Sequence, residues 1–387
     1  MSEFTASRAA RLVSAFDVSG IHRVGTPGDF ASGEWLESEA RATGVAVSRM
    51  PVNVNRTVVD EAYLECAGQR IDGLPMFDSP PTAGAGIAGT LGANESSGEI
   101  GYLDLPPNSA SIKHMRFEKI RRTTRHSALV VATRVMGESL APINAQYFDA
   151  PFGPPVLLVA GANHALLEAH AQNYTAVKVV SIHHRETTQS YNVAAHVASG
   201  GSAAPLVVVT PRTGWWESTA ERAGGIVGWL AAISAAADMH KRGVLKRDVR
   251  AYATCGHELG HLGLTELLAR EAALVKGAHH WLHLGANLGS ASLPMFLRAA
   301  DPQDAQQMLG LLTAEGYPAE HIRVEPISAV SGEGHDITEQ GGKVLSLAGS
   351  NAHFHAASDR WPGNVNAAGI AAISRAVGQW IALNTAD

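Results

Sequence analysis

Three short clusters of polar side chains stand out, each directly after an apolar run. Thr210-Pro211-Arg212-Thr213-Gly214-Trp215-Trp216 leads on to Glu221-Arg222. Gly256-His257-Glu258-Leu259-Gly260-His261-Leu262-Gly263 forms the second, and Asn351-Ala352-His353-Phe354-His355 runs on to Asp359. Carboxylates and imidazoles are the oxygen and nitrogen donors that zinc takes, and an imidazole also exchanges protons near neutral pH. The second cluster spells His-Glu-x-x-His, in which two histidines one helical turn apart hold a metal. That pattern needs a helix interior. Gly256, Gly260 and Gly263 oppose one at about 1 kcal/mol each, and a predicted strand ends just before Gly256. We therefore expect a strand-to-helix turn, with His261 packing or hydrogen-bonding locally; only the helical-protease reading makes His261 indispensable for zinc.

Plainer roles compete at each position. Glu221 can be a helix N-terminal carboxylate favoured by the dipole. Arg222 can pair with Glu221 or Glu258 in an ion network without metal, or take a ligand carboxylate. Trp215 and Trp216 either join the core or wall a pocket. Of His279, His280 and His283, which alternate on a predicted strand, one is expected to face a site. The glycine-rich stretch 82–92 lacks the lysine of a phosphate loop, and the absence of a Gly-x-Ser-x-Gly elbow argues against a serine hydrolase.

The elements that must position these residues change texture along the chain. Residues 6–18 and 30–43 read as helices around a glycine-marked turn at 23–28. From 45 to 182 short apolar runs (127–133, 156–160, 177–182) alternate with Gly, Pro and Asn, which predicts mostly strands and one helix at 162–173. Strands at 193–197, 206–209, 249–254, 280–284, 321–324 and 344–347 then interleave with helices at 224–239, 263–275, 296–316 and 365–383. This α/β alternation predicts a mostly parallel sheet covered on both faces, with chemistry at the C-terminal strand ends. A length of 387 residues favours two domains. With 45% hydrophobic and 17% charged residues the chain is globular. A net charge of −6 without a basic cluster excludes nucleic acid as a partner, and no apolar run is long enough for a membrane span. The first ten residues carry no signal-peptide pattern. Cys66 and Cys255, far apart, fit a reducing cytoplasm.

Taken in order, these segments resemble the zinc aminopeptidase superfamily that includes bacterial leucyl aminopeptidase, aminopeptidase Y and glutaminyl cyclase. The carriers are His22-Arg23-Val24-Gly25-Thr26-Pro27-Gly28, Tyr191-Asn192-Val193-Ala194-Ala195, Ala220-Glu221-Arg222-Ala223-Gly224-Gly225-Ile226, Gly256-His257-Glu258-Leu259-Gly260, and Phe354-His355 followed by Asp359. The resemblance implies a three-layer αβα fold made of residues 1–50 and 185–387, with a β-rich protease-associated-like domain, residues 51–184, inserted. It implies Glu221, Glu258 and His355 as ligands of one zinc ion. The ligand positions of a second ion hold Pro211 and Gly285, which cannot ligate. His257 stands where the family has its general base, and is either a base or a fourth ligand. The implied function is a one-metal hydrolase of an amide or peptide-like bond, with Arg222 and Trp215 or Trp216 holding the substrate. Arg212, His261 and Asn287 are further candidates, and self-association stays open. The competing reading is a metal-free member that uses Arg222, His257 and Glu258 to bind a small acidic ligand or to run acid–base chemistry.

Overall fold

The computed structural model describes residues 4–94, 96–105, 112–134 and 139–386. Helix α1 (Ala6–Asp17) buries Ala9, Leu12, Val13 and Phe16, the i, i+3, i+4, i+7 face of an amphipathic helix. Helix α2 (Pro27–Arg41) starts with Thr26 as N-cap and proline in its first turn. Two long strands follow, β1 (Ala46–Cys66) of 21 residues and β7 (Ala176–Val197) of 22. They pair antiparallel from Ala46↔His196 to Cys66↔Val177, with a bulge between Val59 and Glu61.

Between them lie β2 (Gln69–Pro75), β3 (Ile87–Ala93), β4 (Ile100–Leu105), α3 (Ile112–Thr123), β5 (Ala128–Thr133), β6 (Val156–Ala160) and α4 (His164–Gln172). Their pairing runs β1-β2-β6-β5-β4-β3-β7 and returns to β1, so these strands close into a ring. Leu64, Leu91, Ile100, Val130, Leu157 and Val179 form one of its cores. The ring removes the edges that isolated short strands would leave unpaired.

The remaining elements are β8 (Ala203–Pro211), α5 (Thr219–Lys241), β9 (Arg247–Thr254), α6 (Leu262–Arg270), α7 (Ala272–Gly277), β10 (His280–Leu284), β11 (Met295–Ala299), α8 (Pro302–Ala314), β12 (Ile322–Pro326), α9 (Glu333–Glu339), β13 (Val344–Gly349) and α10 (Ala367–Thr385). The sheet here runs β1-β7-β9-β8-β10-β13-β11-β12, and the central strands β9, β8, β10 and β13 are parallel. One face is covered by α1, α5 and α10, where Trp229, Ile373 and Trp380 are buried. The other packs Val207, Val209 and Trp281 against Leu264 and Leu267 of α6. The result is the expected three-layer α/β arrangement with a mixed sheet.

One expectation is corrected. Residues 296–316 are not one helix: β11 pairs with β13 and β12, and α8 begins only after Asp301, whose side chain accepts from Gln303 N at 2.9 Å. Asp301-Pro302 is a helix start signal, and Met295–Ala299 lies antiparallel to β13 although its apolar run looks helical. Among the described residues no helix is long and apolar enough to cross a membrane.

Candidate functional site

The three clusters meet at the C-terminal edge of the parallel strands. β8 delivers Arg212, Thr213 and the tryptophans, β9 delivers His257 to His261, and the loop after β13 delivers Asn351 to Asp359. Helix α5 begins among them with Glu221 and Arg222. The residue before it, Ser218, is left-handed (φ 47°) and makes no capping bond. Asp359 caps the helix instead, accepting from Ala220 N at 2.9 Å and Glu221 N at 3.0 Å. Asn364 and Asn351 hold the same carboxyl at 2.8 and 3.2 Å. Burial, and then the Glu221 charge, push Asp359 up to about 6.

Glu221 and Arg222 are fully buried and in contact, Arg222 Nη2 to Glu221 Oε1 at 2.6 Å. Arg222 Nε donates to Thr213 O at 2.6 Å, so the guanidinium reaches from Glu221 to the end of β8. Burial raises the Glu221 carboxyl; the Arg222 charge opposes this, and so do the nearby His355 N–H and Ser218 hydroxyl. His355 is left-handed (φ 62°) and donates from Nδ1 to Pro142 O at 2.9 Å, which leaves Nε2 bare and 3.7 Å from Glu221 Oε1. Burial and then the Arg222 charge push His355 down to about 3, so it is neutral. Both Glu221 oxygens, Arg222 Nη1 and Nη2, and His355 Nε2 are buried and make no aligned hydrogen bond among the described residues.

Glu258 is engaged elsewhere. Its Oε1 accepts from Val24 N at 2.7 Å and its Oε2 from Thr213 Oγ1 at 2.8 Å. It pins the early turn around Val24 to the end of β8. Burial raises its pKa, against these hydrogen bonds and the Arg222 charge.

No helix runs through His-Glu-x-x-His. Residues 257–259 form a single 3-10 turn, flanked by left-handed Gly256 (φ 69°), Gly260 (φ 75°) and His261 (φ 60°). Asn192 on β7 holds this loop, accepting from Cys255 N at 3.0 Å and donating to Gly263 O at 2.8 Å. His257 lies with its ring 4.5 Å from that of His261. His257 Nδ1 is 3.4 Å from Glu333 Oε1, and His261 Nδ1 is 2.7 Å from Asp336 Oδ2. Glu333, fully buried, also accepts from Thr254 Oγ1 at 2.7 Å, and burial pushes it up to about 7. Burial, then Arg222, holds His257 well below the usual imidazole range. His283 turns toward this network, bonded to Ser346 Oγ at 2.9 Å, and burial pushes it down to about 3. His280 faces the opposite side and pairs with Asp304 at 2.8 Å. Glu333 and Asp336 were not singled out in the sequence; the only signal was an acidic, histidine-bearing stretch (Glu333-Gly334-His335-Asp336) between two strands.

The other candidates separate. Arg212 is spent on structure: it pairs with Asp29 at 2.6 Å and donates to Tyr191 O at 2.6 Å. Trp215 is buried edge-on to Phe77, with Nε1 donating to Asn144. Trp216 donates to His355 O at 3.0 Å and borders a cavity. Asn287, left-handed (φ 69°), donates its backbone N–H to Glu221 O at 2.8 Å, and its side-chain oxygen has no partner among the described residues.

The zinc set implied by the resemblance does not assemble from these residues. Glu221 and His355 face each other, but both oxygens of Glu258 are taken and a guanidinium already neutralises Glu221. Among the described residues no three His, Cys, Asp or Glu side chains are grouped to hold a metal. At Gly285 even a Cβ would stand 2.8 Å from His283 Cε1, so an aspartate there has no room without rearrangement. As placed, these side chains offer two facing donors, Glu221 and His355, and not the three that an open zinc site uses.

No family model matches the chain, and no curated relative matches it by sequence. Solved structures do match. A zinc aminopeptidase from Bacillus subtilis is 14% identical with a TM-score of 0.72, over 100% of this chain and 95% of that one. A peptidase M28 precursor from Shewanella amazonensis SB2B is 16% identical with a TM-score of 0.72, over 99% and 95%. An aminopeptidase from Aneurinibacillus sp. strain AM-1 is 12% identical with a TM-score of 0.70, over 98% and 93%. At such identities the likeness is one of architecture alone: this chain is folded as the zinc aminopeptidases are, along almost its whole length.

Proposed function

We propose that this chain is a metal-independent protein on the aminopeptidase-like fold that binds a small acidic ligand, with Arg222 as the fixed cation of its centre. The observation that carries the reading is a fully buried Arg222 guanidinium beside the residues implied as zinc ligands: Glu221 Oε1, 2.6 Å from Nη2, takes one side of its fork, and Nη1 has no hydrogen-bond partner among the described residues. Buried polar atoms seldom stay unpaired, and a ligand carboxylate is a partner that the side of the fork left by Glu221 can take. Trp216, bonded to the His355 carbonyl, borders the same centre. A single-zinc amide hydrolase is the competing reading, favoured by one contact, the bare His355 Nε2 facing Glu221 at 3.7 Å. The two-part organisation, 1–50 with 185–387 and 51–184, belongs to this proposal. It is supported by hydrophobic clusters made wholly of residues between Val59 and Val179. A cytoplasmic location is likewise part of it.

Elemental analysis and zinc titration of the purified protein test the reading. We expect no stoichiometric zinc and no saturable zinc binding. Glu258→Gln should lower stability by about 1–3 kcal/mol through its weakened bonds to Val24 and Thr213, with metal content unchanged. One tightly held zinc per chain, lost in Glu258→Gln, would restore the hydrolase.

A further inference from the structure

A second feature lies one layer outward from Glu258. The early turn, the β1–β7 ribbon and the start of the ring enclose a cavity of about 340 Å³, at the small end of the roughly 300–1,000 Å³ range of ligand pockets. Its walls include Arg23, Arg56, Thr57, Phe77, Trp216 and Leu259.

We infer that this cavity is a binding site for a small carboxylic acid with an apolar or aromatic body and no free ammonium group. Three observations converge. First, the Arg23 guanidinium makes no hydrogen bond or ion pair among the described residues; it rests 5.1 Å over the Phe77 ring, on the cavity wall. A half-buried cation with unspent donors beside apolar surface gains most from a carboxylate, whose two oxygens match the planar fork. Second, Thr57 lines the same wall and its Oγ1 has no partner among the described residues; turning about the Cα–Cβ bond would bring this unspent hydroxyl to an anion. Third, Phe77, Trp216 and Leu259 offer apolar and aromatic surface for the body of the ligand.

The cavity lining disfavours an ammonium, even with the Glu258 carboxyl near Arg23. No acidic side chain lines the cavity, whereas two guanidinium groups do. Arg56 is already engaged, with Nε on Glu186 at 2.8 Å and Nη1 on Gly25 O at 2.8 Å. Arg23 is therefore the principal anchor. A free amino acid or a peptide N-terminus would bring its positive group against this wall, and like charges repel. An N-blocked amino acid or a simple aryl or alkyl acid meets no such cost. Neither Arg222 nor Glu221 lines this cavity, although Trp216 adjoins both places, so binding here can be tested apart from the metal question.

Isothermal titration calorimetry with N-acetyl-L-phenylalanine tests the inference, on metal-stripped and zinc-treated protein alike. Saturable binding is expected, with none for the neutral N-acetyl-L-phenylalaninamide and weaker binding of free L-phenylalanine. Arg23→Gln should weaken binding about tenfold or more, as loss of a charge-assisted hydrogen bond does. Thr57→Val, which keeps the volume, should weaken it a few-fold and serves if Arg23→Gln does not fold. Equal affinity for the amide, or undiminished binding by Arg23→Gln or, where that variant does not fold, by Thr57→Val, overturns the inference. So does absence of saturable heat with N-acetyl-L-phenylalanine, hexanoate and indole-3-acetate in folded wild-type protein. Zinc found at Glu221 with the acetylated probe still bound would defeat the metal-free reading and leave this one intact.

Discussion

Glu333, His355 and His283 show how a residue's surroundings, more than its type, set its chemistry. Burial holds the Glu333 carboxyl up to about 7 from an ordinary 4.5, so the folded chain keeps a proton that the unfolded chain has shed. The stability this contributes is complete below the unfolded value and disappears as pH rises through about 7. His355 and His283, pushed down to about 3, act the other way: their contribution is present above 6.5 and lost as pH falls toward 3. Glu333→Gln removes only the first dependence. Its urea midpoint, relative to wild type, should therefore improve between about pH 5 and about pH 8; a constant difference would show that Glu333 titrates normally. At this scale the sequence was half legible. Pairing of Arg222 with Glu221 was one of the alternatives the sequence offered, beside Glu258 and a ligand carboxylate, and the fold brings that pair to 2.6 Å. The partners of Glu258 could not be read, because Val24 lies 234 positions away and nothing local marks its N–H as a donor.

Element boundaries followed local chemistry where caps and glycines speak. Thr26-Pro27 starts α2 inside the stretch expected to be a turn, ahead of the expected start at 30, whereas Gly256, Gly260 and Gly263 keep the His-Glu-x-x-His stretch out of a helix, as their spacing predicted. Helix α5 is different: it is buried almost all round, its own N-cap residue is idle, and the cap arrives from Asp359. Asp359→Ala would strip two buried N–H groups of their acceptor and release Asn364. We expect a loss of about 2–3 kcal/mol, at the upper end for a lost N-cap, seen as a lower Tm, with Asp359→Asn milder. A neutral result would mean that water or Asn351 takes over. Strand β7 was under-read for a related reason. Residues 183–192 are mostly polar, so no apolar alternation marks them; pairing with β1 makes them a strand.

For the whole molecule, the order of weak motifs revealed the architecture better than any single motif revealed the chemistry. Composition and alternation pointed to the layered α/β body, while Pro211 and Gly285, through the resemblance, implied that one of the family's two metal positions is not kept. Closure of β1 to β7 into a ring could not be seen, since strand partners depend on contacts far apart in sequence. Because β1 and β7 run unbroken from the sheet into the ring, and the joint buries Val24, Val54, Leu74, Phe77 and Trp215, we expect one calorimetric unfolding transition. Two resolved endotherms would show that the parts melt separately.

The continuous ribbon also governs how this chain could be recombined with its structural neighbours. Positions 50 and 185 fall inside paired strands, at Met50↔Asn192 and Thr57↔Arg185. A chimera spliced there would sever a ladder in mid-register. Transplanting the ring intact demands crossovers outside both strands, before Ala46 and after Val197, so that donor and recipient exchange the ribbon as one piece.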